Sequence, residues 1–253
     1  MSRGLAWLAH AYTALGLVCA AAIFVLIVRG GDQSFRAAFA LMLVATAIDA
    51  TDGWLARAVR VKSVLPGFDG SKLDDLTDFL TYTCLPLALI WRAGVLPPAW
   101  QAWLLAPLIA SAYGFCQAQA KTADHYFLGF PSYWNIVALY AYLLRMPAPG
   151  TLALLLALAV LTFVPSRYLY PSRAGGRWSL VTNVLACLWL VELLQILWSW
   201  TATPRWLVVA SLAFPAYYML LSWVISIRMW RLAPPGRRGS AAEGQRPDAG
   251  SRS

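Results

Sequence analysis

The chain has 253 residues, of which 60% are hydrophobic and 12% charged, with mean hydropathy +0.61. A soluble domain carries about a quarter charged residues, so this composition excludes an ordinary water-soluble fold and points to a helical membrane protein. The net charge is +9, yet Lys and Arg lie between apolar runs or in the tail and no RNA- or DNA-binding motif appears, which argues for anionic lipid rather than nucleic acid as the basic residues' partner.

A spanning helix needs roughly 20 mainly apolar residues. In chain order the candidates are 5–28, 35–55, 74–95, 98–117, 131–144, 151–165, 178–200 and 204–230. The expected fold is therefore an all-α, polytopic bundle of about eight transmembrane helices, with six or seven allowed because the fifth and sixth are short. The first run exceeds the 7–15 residues or so of a signal-peptide core and reads as a retained span. Pro, Gly or charge marks the joints: RGGD at 29–32, GVLPP at 94–98, MPAPG at 146–150, PSRAGGR at 171–177 and TATPR at 201–205. Many Trp residues sit near proposed span ends, as an interfacial belt requires.

With eight spans and the N-terminus inside, fifteen of the 20 Lys and Arg residues fall on inner segments. That asymmetry predicts cytoplasmic termini. Residues 1–232 read as one transmembrane domain, and 233–253, polar and rich in Pro, Gly, Ser and Arg, as a disordered basic cytoplasmic tail. Cys19, Cys84, Cys116 and Cys187 lie apart within apolar runs and read as small buried thiols, with no disulfide framework.

Six of the eleven acidic residues fall between 49 and 78, at the inner end of spans two and three. Asp49 and Asp52 are spaced i, i+3 and share a helical face with Gly53 and Ala56. Asp74 and Asp78 are spaced i, i+4, with Gly70 one turn earlier. Two antiparallel helices would thus aim paired carboxylates at each other. Converging carboxylates do not all stay ionised without a counter-charge, and oxygen-only ligands suit a hard ion such as Mg²⁺, Mn²⁺ or Ca²⁺. Arg57 adds a cationic fork suited to phosphate. Small residues, a hard metal and an Arg together suggest a diphosphate site. Asp69 and Asp75 miss the shared face and read as loop or solvated residues. Ionisable groups at membrane depth are costly unless functional, which weighs against an incidental acidic loop.

Asp49, Asp52, Gly53, Ala56, Arg57, Gly70, Asp74 and Asp78 fill every position of D-x2-D-G-x2-A-R…G-x3-D-x3-D. The sequence therefore resembles the CDP-alcohol phosphatidyltransferases, membrane enzymes that move a phosphatidyl group from a CDP-linked lipid to an alcohol. Residues 58–69 make a spacer of twelve where eight is usual. That length, together with KLDDLTDFLTYTCLP at 72–86 and KTADHYFLGFPSYWN at 121–135, resembles the bacterial phosphatidylcholine synthase branch. The resemblance implies transfer from CDP-diacylglycerol to choline, releasing CMP, with Mn²⁺ or Mg²⁺, two ions being expected. It implies that Asp49, Asp52, Asp74 and Asp78 ligate metal, that Asp78 also acts as base, and that Gly53, Ala56, Arg57 and Gly70 serve the nucleotide and its phosphates. It further implies a multi-pass protein of the bacterial inner membrane with a cytoplasmic active site, and a homodimer.

Choline's quaternary ammonium is usually held by aromatic faces. Phe79, Tyr82, Tyr113, Tyr133 and Trp134 are the candidates; each also has an ordinary reading as a core or interfacial aromatic. Lys121, Asp124 and His125 read as a solvated loop or as part of a headgroup pocket, and His10 as a packing residue. Asn135 and Asn183 are expected to join helices by hydrogen bonds. Glu192, an acid within span seven, suits function or helix pairing. Phosphatidylserine or phosphatidylglycerophosphate synthesis is the near alternative. An ion-coupled transporter is the distant one, opposed by acids gathered at one face rather than midway.

Overall fold

The computed structural model describes residues 2–117, 126–169 and 177–232. Lys121, Asp124, His125, Arg173 and the proposed tail lie outside the described residues.

Two long helices, α1 (Arg3–Arg29) and α2 (Asp32–Ala58), open the chain. At 27 residues each and 1.5 Å per residue they exceed the roughly 30 Å hydrocarbon layer. Gly30 and Gly31 join them at φ 69° and 85°, a left-handed turn that side chains resist. The single turn α3 (Val61–Val64) leads to α4 (Gly70–Asp78). This helix continues through a π-helical turn, Phe79–Cys84, into α5 (Leu85–Arg92). Pro86 supplies the physical cause: it has no N–H for the carbonyl of Tyr82, four residues back, and its ring crowds that carbonyl.

A 3₁₀ segment, Pro98–Leu104, runs into α6 (Leu105–Cys116). After it come β1 (Tyr126–Leu128), α7 (Trp134–Leu143), α8 (Ala148–Phe163), β2 (Arg167–Leu169) and α9 (Arg177–Trp198). The last span is broken at Leu212 into α10 (Arg205–Ser211) and α11 (Ala213–Leu232). Pro215 explains the break, since it cannot donate to Ser211.

The protein is thus a multi-pass, helical membrane protein, and each expected span finds helical counterparts. The fifth and sixth candidates are as short as expected: α7 (10 residues) and α8 (16 residues) reach about 15 and 24 Å, short of a full crossing. The helical fold also carries one small antiparallel ribbon among the described residues, in which Tyr126, Phe127 and Leu128 pair with Leu169, Tyr168 and Arg167. Both strands come from loops assigned to one side of the membrane, and their pairing places those two loops together.

Packing explains how close the first helices come. On α1 the buried residues Ala6, Ala9, Thr13, Gly16, Ala20, Ile23 and Ile27 alternate three and four apart, a continuous seam. Lipid gives no hydrophobic drive for helices to meet, so small residues and close van der Waals contact hold them together. Gly16 is the tightest point, because a Cβ there would collide with the Thr77 methyl of α4. At the other end of the bundle, Arg36 donates to the carbonyls of Leu197 (2.6 Å) and Trp198 (3.3 Å), satisfying acceptors that α9 leaves open at its C-terminus. Asp32 accepts from Tyr142 and from Trp200 Nε1, both at 2.7 Å.

Gly16→Leu should push α1 away from α4 and cost about 1–3 kcal/mol, as overpacked cores do. The check is the thermal midpoint of the purified protein in detergent; an unchanged midpoint would mean that the contact with Thr77 is not tight.

Candidate active site

Asp69 caps α4, its carboxylate accepting from the backbone N–H of Ser71 (3.1 Å) and Lys72 (3.3 Å) and facing Lys72 Nζ at 3.8 Å. Asp69 is thus a solvated residue outside the helix, as expected, and it also fixes where α4 begins and hence the phase of Asp74 and Asp78 above it.

On that helix and on α2, one carboxylate oxygen from each of Asp49, Asp74 and Asp78 lies within 4.8 Å of the other two. The trio and Asp52 line a cavity of about 10 Å³, together with Thr13, Gly16, Ala45, Ile48 and Thr77. Three converging oxygen donors fit a hard divalent ion, so the acidic group could hold a metal. Asp52 is buried and accepts from Thr13 Oγ1 at 2.8 Å. It lines the cavity without belonging to the closest trio.

The third support is Tyr82, in the π-helical turn, whose hydroxyl donates to Asp49 Oδ2 at 2.7 Å. Thr13 and Tyr82 thus hold one acid each of α2 from two different helices. Sequence reasoning missed Thr13, since a lone Thr in an apolar helix carries no signal. It placed Tyr82 near the site but as a choline contact.

The small residues of the motif have neighbours of their own. A Cβ on Gly53 would lie 3.2 Å from Arg57 Nη1, so the guanidinium rests over that glycine, and Arg57 is itself exposed. A Cβ on Gly70 would lie 2.5 Å from His10 Cε1. Ala56 is half-buried.

The aromatic candidates separate. Tyr82 meets Tyr133 at 6.2 Å between ring centroids, and Tyr133 meets Tyr218 of α11 at 6.1 Å. Tyr218, stacked in turn near Tyr168 at 6.4 Å, was not foreseen, because nothing in the sequence links α11 to α2. Phe79 packs on Phe115 and Tyr113 on Phe163. Trp134 is fully buried, with Nε1 donating to Ser111 Oγ at 2.6 Å, so neither face is open to a ligand. Asn135 joins α7 to α2 through Thr46 at 3.3 Å. Asn183, by contrast, is exposed on α9, which corrects its assignment to a helix–helix bond. Glu192 is half-buried on the same helix.

Comparison with known proteins identifies the family. A profile of the CDP-alcohol phosphatidyltransferase family matches residues 6–228. The phosphatidylcholine synthase of Legionella bozemanae is 38% identical over 190 residues, 72% of this chain and 88% of that protein. That of Legionella pneumophila subsp. pneumophila is 36% identical over 225 residues, 86% of this chain and 87% of its own. The Pseudomonas aeruginosa phosphatidylcholine synthase is 39% identical over 176 residues, 68% of this chain and 72% of its own. By the match along almost the whole membrane domain, the chain belongs to the CDP-alcohol phosphatidyltransferase family.

Proposed function

We propose that the chain is a phosphatidylcholine synthase that transfers the phosphatidyl group of CDP-diacylglycerol to choline. The observation that carries the chemistry is the meeting of Asp49 of α2 with Asp74 and Asp78 of α4. The relatives' shared name supports the choice of acceptor.

Asp49, Asp52, Asp74 and Asp78 would hold the metal, Mn²⁺ or Mg²⁺ and two ions in our reading, which when bound offsets charge on the diphosphate and on departing CMP. Asp78 accepts the proton of the choline hydroxyl as that oxygen forms its bond to the phosphatidyl phosphorus. The bond from this phosphorus to the bridging oxygen breaks, and CMP leaves with the electron pair. Such a displacement depends mainly on alignment and charge, which is why Thr13 and Tyr82 matter as positioning residues. Arg57, braced over Gly53, presents its fork to the phosphates, with the small Ala56 beside it and Gly70 serving the nucleotide by letting the His10 ring lie close to α4. Tyr82, Tyr133 and Tyr218 offer aromatic faces to the ammonium group. The same reading includes a cytoplasmic site in a bacterial inner membrane, both termini inside, and a homodimer.

Purified protein given CDP-diacylglycerol and Mn²⁺ should convert labelled choline to labelled phosphatidylcholine, with labelled serine or glycerol-3-phosphate left unreacted. Product from either of those instead would assign a different acceptor. Asp78→Asn should lower kcat by at least about 10²-fold, the range of a lost general base, while CDP-lipid still binds. Tyr82→Phe should weaken metal activation about 10–100-fold, as loss of a ligand's supporting hydrogen bond does, read from the Mn²⁺ concentration giving half-maximal rate.

A further inference from the structure

His10 lies within α1, 94% buried by its 6% exposure, and its Nε2 has no hydrogen-bond partner among the described residues. A buried polar atom left unpaired is destabilising and rare, and a ring that only filled space would be apolar. Its surroundings are specific. The ring presses on the bare Cα of Gly70, where a Cβ would lie 2.5 Å from Cε1 and 2.9 Å from Nδ1. Phe68 covers it at 4.4 Å between centroids and Trp7 at 5.9 Å, and these two meet edge to face at 5.3 Å. Unlike His10, both are open to the outside, Trp7 at 50% and Phe68 at 38% exposure.

The cluster is aligned with the acidic site. His10 is three residues before Thr13, which holds Asp52, and Gly70 is four before Asp74, so each helix places it one turn beyond the carboxylates. It lies toward the polar end, where exposed Arg57, Arg60, Lys62 and Lys72 gather. Resting on the proposed diphosphate site, we infer that Trp7, His10 and Phe68 form a cleft for the pyrimidine base of the nucleotide. A planar ring inserted between Trp7 and Phe68 exchanges their mutual contact for two stacking contacts. Its edge then reaches His10 Nε2. At the edge where cytosine carries a donor amino group, uracil carries an acceptor oxygen, so a neutral His10 with Nε2 as its acceptor nitrogen takes the cytosine N–H and has nothing to accept from uracil.

The experiment measures calorimetric binding of CMP, UMP and deoxy-CMP to the purified full-length protein with Mn²⁺. Wild type should prefer CMP to UMP. His10→Phe, which keeps an aromatic ring, should weaken CMP binding about tenfold, the scale of one hydrogen bond, and erase the preference, while the KM for choline is unchanged. His10→Gln should restore part of it. Trp7→Leu with Phe68→Leu should weaken CMP and UMP alike. A folded His10→Phe protein with wild-type CMP affinity and preference overturns the inference, as does a loss of discrimination at the sugar, seen with deoxy-CMP, in place of the base. Failure of the wild type to bind CMP would sink the diphosphate site itself, an outcome separate from an unaffected variant.

Discussion

Carboxylates brought together at the edge of a low-dielectric slab repel one another, and the first third of the chain is organised around making that repulsion tolerable. Unit charges at such separations interact far more strongly here than in water. The structure answers with hydroxyl donors from two directions, Thr13 to Asp52 and Tyr82 to Asp49, and with an arrangement of oxygens that suits a divalent cation. Each of those donors depends on something else. Thr13 reaches Asp52 because the seam of small residues lets α1 lie close. Tyr82 stands in the irregular turn that Pro86 forces on the helix.

The two ends of the bundle use charge differently. At one end Asp32 has both oxygens engaged by Tyr142 and Trp200, and Arg36 is spent on backbone carbonyls of α9. These charges tie helices together, and their hydrogen bonds leave little for a ligand. At the other end the acids face a cavity and Arg57 is open to the exterior. That division separates the enzyme's framework from its chemistry within one helical bundle.

The acids were legible in the sequence because a carboxylate in apolar surroundings is costly, and helical spacing turns four of them into one surface. The joints at 29–32 and 94–98 were legible because glycine permits the left-handed backbone found at Gly30, Gly31 and Gly94. Asp69 was rightly read as a solvated loop residue, but its capping of α4 was not drawn from the polar Asp-Gly-Ser-Lys stretch. Thr13, Tyr218 and His10 were illegible or bland, since their roles come from contacts between residues far apart in the chain. The shortness of α7 and α8 was legible because the apolar runs at 131–144 and 151–165 fall below the roughly 20 residues of a full span. The ribbon was hidden because three-residue strands carry no periodicity.

That ribbon bears on how the protein is made. β1 and β2 pair across two intervening helices, and Ser226 near the end of α11 both donates to the Arg167 carbonyl (3.3 Å) and accepts from its N–H (2.7 Å). The clasp at the polar end is therefore complete only when α11 packs beside the ribbon, so folding of that end waits on contacts between segments far apart in the chain.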